Sequence, residues 1–88
     1  MHEHEKKLVG EITHFFGELS VAVVELEHGL KVGQKVSIEG HTTAFMQTID
    51  SMQIRQKGVA EAKKGESVGI KVIDRVRRGD KVYLVEEF

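Results

Sequence analysis

Cysteine, proline, tryptophan and asparagine are all missing from the 88 residues of this chain. Without cysteine the chain can form no disulfide framework, no thiolate metal site and no cysteine nucleophile. No apolar run exceeds four residues, as in Val21–Val24, so no segment is long enough to cross a bilayer. The first seven residues are polar and lack the apolar stretch of a secretory signal, which predicts a cytoplasmic protein with no membrane partner.

Length and composition indicate one small globular domain. Apolar residues make up 40% of the chain and charged residues 31%, and its mass of 9.9 kDa leaves room for a single modest core. We predict that this domain covers residues 8–85. Residues 1–7 are expected to form a mobile N-terminal segment and residues 86–88 a C-terminal tail.

The apolar pattern predicts strands rather than helices. Lys35–Glu39 alternates polar and apolar residues, and apolar residues also alternate through Val68–Val72. Residues 59–64 are too short for more than one helical turn and are better explained as a loop and an edge. Between Phe45 and Arg55 the apolar positions change from odd to even, which predicts a bulge near residues 50–51.

One turn motif occurs three times, with the pattern basic-x-Gly-polar-x-Val. The copies are Lys31–Val36, Lys63–Val68 and Arg77–Val82. Each glycine can supply the positive φ of a tight turn, and each valine can begin an inward-facing strand. Short strands joined by such turns predict an all-β fold, a small closed antiparallel β-barrel of six or seven strands. Closure would also remove exposed sheet edges.

In their order along the chain, these segments are similar to a known family. Residues 9–85 resemble the second domain of translational GTPases such as elongation factor Tu. The segments that carry the resemblance are His14–Ala22, Glu27–Val36, Met52–Ile54, Gly65–Ile70 and Arg78–Val82. The resemblance implies a stand-alone, translation factor-like β-barrel. In the full-length factors this domain contacts the GTPase domain, ribosomal RNA and the aminoacyl end of tRNA.

The GTPase motifs themselves do not occur in the chain. It has no Gly-x-x-x-x-Gly-Lys-Ser/Thr, and the lack of asparagine excludes the guanine-reading motif. We therefore expect no nucleotide binding and no cofactor. Similar barrels also form a C-terminal module in a collagenase-like bacterial peptidase family, some members of which resemble RNA-modifying enzymes. The alternative function is thus a protein–protein adaptor, or a detached accessory barrel of a peptidase or RNA-modifying enzyme.

Charge is distributed unevenly. Residues 1–54 carry four basic and eight acidic residues, whereas residues 55–81 carry nine basic and four acidic ones. The main prediction is therefore a non-enzymatic module that binds RNA or a ribonucleoprotein, with tRNA or ribosomal RNA as partner, through a basic surface. The alternative is a solvated surface that only confers solubility. The candidate RNA-binding residues are Arg55, Lys57, Lys63, Lys64, Arg75, Arg77 and Arg78.

Two adjacent phenylalanines suggest a protein contact. In a strand, Phe15 and Phe16 point to opposite faces, so one of them is directed away from the core. Together with Leu19 they form the candidate protein-contact set. The alternative is a second minor core beneath a loop.

No catalytic or metal site is predicted. His2 and His4 flank Glu3 and can chelate a metal only weakly, since nothing in the sequence orients their rings. None of the serines has a nucleophile-elbow context, and no pair of carboxylates stands out from the others. The chain is therefore not expected to be an enzyme.

Overall fold

A computed structural model describes residues 4–87, and these residues form ten β-strands. The all-β prediction is confirmed, but there are more strands than the six or seven predicted. Within residues 4–87 no helix is long and apolar enough to cross a membrane. The strands are β1 (His4–Phe16), β2 (Val21–Leu26), β3 (Leu30–Lys31), β4 (Lys35–Glu39), β5 (Ala44–Thr48), β6 (Met52–Ile54), β7 (Lys57–Val59), β8 (Glu61–Ala62), β9 (Ser67–Lys71) and β10 (Lys81–Glu87).

Eight strands form one antiparallel sheet, in the order β5-β4-β10-β1-β2-β9-β6-β7, and β3 pairs with β8 separately. The prediction of a closed barrel is wrong, because over residues 4–87 the edge strands β5 and β7 do not pair with each other. β6 and β7 are only three residues long, which leaves little main chain to complete a ring. The sheet is therefore open, and its strands surround one core.

A side chain bridges the gap between β5 and the end of β9. The amide nitrogen of Gln47 donates a hydrogen bond to the carbonyl of Lys71 at 2.8 Å, and its amide oxygen accepts one from the Ile73 N–H at 2.8 Å. Gln47 is buried, so both bonds are shielded from water. A glutamine amide here takes the place of a main-chain ladder.

The core lies on the inner face of the curved sheet. Val24, Ile38, Ile70 and Val82 come from four different strands and are fully buried. The predicted bulge near residues 50–51 is instead a break between β5 and β6. At this break Ile49 is fully buried, and its N–H donates a 2.8 Å hydrogen bond to the carbonyl of Gln34.

The two ends of the described chain are strands that pair with each other. Lys6 pairs with Val85 and Lys7 with Leu84, and the ladder reaches His4 opposite Glu87. Residues 4–7 and 86–87, predicted as a mobile segment and a tail, therefore belong to β1 and β10. Their polarity did not prevent this, because a ladder is made by main-chain groups. Residues 1–3 and 88 lie outside the described residues.

The repeated turn motif has the same geometry in all three copies, as its sequence predicts. The glycines are in the left-handed region: Gly33 (φ 96°), Gly65 (φ 93°) and Gly79 (φ 94°). In each turn the N–H of the basic residue also donates a hydrogen bond to the polar side chain three positions later. These pairs are Lys31–Gln34 (2.8 Å), Lys63–Glu66 (2.7 Å) and Arg77–Asp80 (2.8 Å).

Candidate functional site

An open groove lies on the outer face of the sheet, across β2, β9 and β6. Its volume is ≈ 300 Å³, and we call it the outer groove. One part of its lining is apolar, and the remainder is polar with a single charge. The lining residues are Phe16, Leu19, Val21, Val23, Gln53, Arg55, Gln56, Ser67 and Gly69.

Strand register places the floor of this groove. Val23 on β2 lies opposite Gly69 on β9, and Gly69 in turn lies opposite Gln53 on β6. A Cβ added to Gly69 would lie 3.2 Å both from Cγ of Gln53 and from Cγ1 of Val21. The floor is therefore open because β9 has no side chain at this position.

A register shift in β1 supplies the apolar wall. It occurs between Ile12 and His14, so Ile12 is buried while His14 and Phe16 are exposed. Phe15 packs against the core and Phe16 is 46% exposed, as expected for adjacent strand residues. The Phe16 ring is tilted against that of His14, with centroids 4.4 Å apart. Of the predicted protein-contact residues, Phe16 lines the groove and Phe15 does not.

Leu19 completes this wall from the turn between β1 and β2. It is 60% exposed, and its carbonyl accepts a 2.7 Å hydrogen bond from Nζ of Lys71. The next residue, Ser20, has a φ of 53°, and its carbonyl accepts a 2.9 Å hydrogen bond from the Val72 N–H. The turn is thus tied to the end of β9, which fixes the position of an exposed apolar side chain.

The opposite wall is the two-residue turn between β6 and β7. Arg55 and Gln56 have φ values of 51° and 67°, and positive φ at both central residues is the requirement of a type I′ turn. Such turns normally use asparagine and glycine, since a side chain in the left-handed region costs about 1 kcal/mol per residue. Both side chains line the groove, so the strained turn directs an arginine and a glutamine towards it.

Arg55 is the one charged residue in the lining. Among the side chains of residues 6–86 the ion pairs join Lys6 to Glu39, Lys31 to Glu61 and Lys81 to Glu11, so Arg55 belongs to none of these. Glu25 follows Val23 on the same side of β2, but it lines a separate depression with Glu11 and Glu27. The outer groove thus offers a guanidinium group without a carboxylate in its own lining.

The other candidate RNA-binding residues lie elsewhere. Lys57 is in β7, Lys63 and Lys64 are in the turn between β8 and β9, and Arg78 is in the segment that precedes β10. Arg75 and Arg77 line a different, polar depression of ≈ 270 Å³, together with Thr42 and Thr43. The structure therefore does not collect the seven basic residues in one groove.

Sequence reasoning found part of the outer groove. It selected Phe16 and Leu19 as a protein contact and Arg55 as a basic residue, but it did not connect them. It missed Gln53, Gln56 and Gly69, which reach the groove only through the register of β2, β9 and β6. A signal was present in the short stretch Ile54–Lys57, where a two-residue connection lacks the expected glycine.

The side chains of residues 6–86 include no group of three or more histidine or acidic residues that could hold a metal ion. The side chains of His2 and His4, considered as a weak chelator, lie outside those described.

The chain is similar to segments of known proteases, although no protein-family model matches it. It is 44% identical over 86 residues to an uncharacterized protease of Methanocaldococcus jannaschii, covering 97% of this chain and 21% of that protein. It is 35% identical over 81 residues to a collagenase of Porphyromonas gingivalis, covering 90% and 22%. The chain thus spans about a fifth of the length of the curated relatives that it matches.

Among solved structures, the chain resembles the C-terminal domain of a Geobacillus thermoleovorans protein assigned to the U32 peptidases. The TM-score is 0.83 with 17% sequence identity, over 89% of this chain and 91% of that one. The chain has the fold of a U32 peptidase C-terminal domain.

These similarities correct the first assignment. The resemblance to the second domain of elongation factors, and the translation and RNA-binding roles inferred from it, are wrong, because the relatives are proteases and collagenases. The glycine turns that carried the resemblance specify short strands and tight connections, which proteins of different function share. The similarities agree better with the alternative function, a detached accessory domain of a peptidase.

Proposed function

We propose that the chain is a non-catalytic accessory domain of a U32-type peptidase, and that it binds a protein partner through the outer groove. The observation that carries the proposal is the extent of the similarity. It covers 97% of this chain but only 21% of the protease of M. jannaschii. A segment that matches a larger protein over 86 residues and buries its own hydrophobic core behaves as a separable domain.

The chemistry of the groove supports binding rather than hydrolysis. Its nine lining residues include no histidine, aspartate or glutamate, so Ser67 has no general base within that set. Phe16 and Leu19 are large apolar side chains that are 46% and 60% exposed. An apolar patch with polar groups at its border is typical of protein-binding surfaces.

The test is a segment replacement in the collagenase of P. gingivalis. The 81-residue segment that matches this chain is deleted in one variant and replaced by the matching residues of this chain in another. If the domain positions substrate or a neighbouring domain, deletion should lower the rate of gelatin hydrolysis about tenfold or more, and replacement should restore most of it. The isolated chain is assayed in parallel and should hydrolyse no gelatin.

A matched pair of variants assigns the effect to the groove. Phe16→Ala with Leu19→Ala in the replaced segment should lose at least about half of the restored rate, since exposed anchors dominate protein contacts. Met46→Ala is the control, because Met46 is 53% exposed on β5 and outside the groove. Equal rates for both variants would contradict a role for the groove, and gelatin hydrolysis by the isolated chain would contradict the non-catalytic assignment.

A further inference from the structure

The outer groove has an apolar end and a polar end. Phe16 pairs with Val21, and Val21 pairs with Lys71, so the apolar side chains lie next to the last residue of β9. Ser67, at the first residue of β9, lines the polar end together with Arg55 and Gln56. Ser67 and Lys71 are four residue positions apart along the strand, which corresponds to about 13 Å.

This length matches a short extended peptide. A peptide that lies along β9 would place alternate side chains towards the floor, at intervals of about 7 Å. One of these side chains can contact Phe16, Leu19 and Val21, and the next ones reach the polar end. A volume of ≈ 300 Å³ is at the lower limit of ligand pockets, so one large side chain with a short stretch of main chain is a suitable occupant.

Charge determines what the second side chain should be. Arg55 is the single charge in the lining, and it takes part in no ion pair among the side chains of residues 6–86. A guanidinium group binds a carboxylate through two parallel N–H donors, a stronger contact than a neutral amide provides. Gln53, Gln56 and Ser67 add uncharged hydrogen-bonding groups beside it.

We propose that the occupant of the outer groove is an extended peptide segment in which an apolar side chain is followed, at alternate positions, by carboxylates. The apolar side chain contacts Phe16, Leu19 and Val21, and a carboxylate pairs with the guanidinium group of Arg55. The segment belongs to a partner protein, so the inference rests on the proposed function and names the chemistry of the ligand.

The test is fluorescence anisotropy of the full 88-residue chain with labelled hexapeptides. The probe is Gly-Phe-Thr-Glu-Thr-Glu, and its two variants replace both glutamates with glutamine or the phenylalanine with alanine. The chain should bind the probe, and each variant should bind about tenfold more weakly. Binding of the probe should also weaken at high salt, because the charged contact is partly exposed.

Protein variants assign the two contacts. With Arg55→Gln, the probe and its glutamine variant should bind equally, because the guanidinium group that distinguishes them is gone. Lys57→Gln removes a neighbouring positive charge that does not line the groove, and it should preserve the tenfold preference. Leu19→Ala should reduce the preference for phenylalanine over alanine in the same way.

Three results would overturn the inference. They are equal affinity of the wild-type chain for the probe and its glutamine variant, no binding at millimolar protein, and a dimer in sedimentation that Phe16→Ala dissociates. The last would identify the groove as a contact between two copies of the chain. Each of these results is compatible with full restoration of gelatin hydrolysis by segment replacement in the collagenase. A failure of the peptide inference is therefore distinguishable from a failure of the proposed function.

Discussion

Tight turns with positive φ occur in two kinds in this domain. The first kind contains Gly33, Gly65 or Gly79 and is held by a side chain three positions after its basic residue. The second has positive φ at residues other than glycine, at Arg55 and Gln56 in one turn and at Ser20 in another. Glycine adopts this conformation without the steric cost that other residues have.

The two kinds of turn differ in where they lie relative to the outer groove. Among residues 4–87, three residues other than glycine have positive φ, namely Ser20, Arg55 and Gln56. Arg55 and Gln56 line the groove, and Ser20 lies between two residues that line it, Leu19 and Val21. Backbone strain is concentrated at functional sites in many proteins. The turns that only connect strands thus have glycine at the positive-φ position, whereas the turns at the border of the groove retain side chains there at a cost in stability.

Two of the glycine turns should differ strongly in how much their side-chain hydrogen bond stabilises the domain. Asp80→Ala should lower the free energy of unfolding by about 2–3 kcal/mol, whereas Glu66→Ala should lower it by about 1 kcal/mol. Asp80 is 4% exposed and its carboxylate lies against Gly40, so its loss leaves the part-buried Arg77 N–H without its acceptor and opens space beside Gly40. Glu66 is partly solvated, and water can replace its oxygen. Urea unfolding measures both, and equal losses would contradict the distinction.

The next effect tests the cost of positive φ itself. Gly33→Ala should lower the free energy of unfolding by about 1–2 kcal/mol through strain, because no atom lies within 4 Å of the added Cβ. Gly58→Ala is the matched control. Gly58 has equally open space but lies in β7 without a positive φ, so this change should be neutral or slightly stabilising. Thermal unfolding of the two variants measures both changes in stability. An equal loss of stability in Gly58→Ala would contradict the assignment of the cost to positive φ.

Glycine can also be introduced into the Arg55–Gln56 turn, which removes the steric cost of its positive φ values. Arg55→Asn combined with Gln56→Gly supplies the residues that type I′ turns prefer, and it should raise the free energy of unfolding by about 1 kcal/mol. The same variant should bind the acidic hexapeptide more weakly, because it removes the guanidinium group. A variant that is both less stable and weaker in binding would show that the turn is not strained.

An exposed ion pair outside the turns, between Lys6 and Glu39, should contribute least to the free energy of unfolding. Lys6 donates a 2.7 Å hydrogen bond to Glu39, which also accepts one from Ser37, and these two contacts lower the pKa of Glu39. A lowered pKa in the folded state stabilises the domain at neutral pH, and this contribution is lost as pH falls through that pKa. The side chains are 49% and 35% exposed, so we expect less than about 0.5 kcal/mol. Urea unfolding at pH 7 and pH 3 measures this contribution. Between these pH values the wild type should lose slightly more free energy of unfolding than Glu39→Gln, and a larger loss in the variant would contradict the prediction.

Particular residues show how far sequence alone predicts this domain. The three glycine turns and the opposite faces of Phe15 and Phe16 were predicted correctly, because each depends on neighbours within a few positions. Arg55 was selected as one of seven candidate RNA-binding residues, which stays a prediction, and the sequence did not connect it with Phe16 and Leu19. Its position across the groove from Phe16 depends on the pairing of β2 with β9, whose partners lie 42 to 50 residues apart, and of β9 with β6, whose partners lie 16 to 18 residues apart.

The closed barrel and the elongation-factor assignment failed for a related reason. Strand number and turn type are local properties, whereas closure depends on whether the last strands are long enough to meet. Here the edge strands β5 and β7 do not pair, and the side chain of Gln47 instead links β5 to the end of β9. Turn motifs alone do not distinguish one family of small β-domains from another.

The all-β class, the three glycine turns and an outward phenylalanine follow from local sequence, since alternation and positive φ are set by short-range sterics. That the sheet stays open, and that Phe16, Gly69 and Arg55 border one groove, depends on long-range strand pairing. The physical reason is that strand order and register follow from burial of one shared core. That burial brings together residues whose own sequence neighbours carry no information about each other.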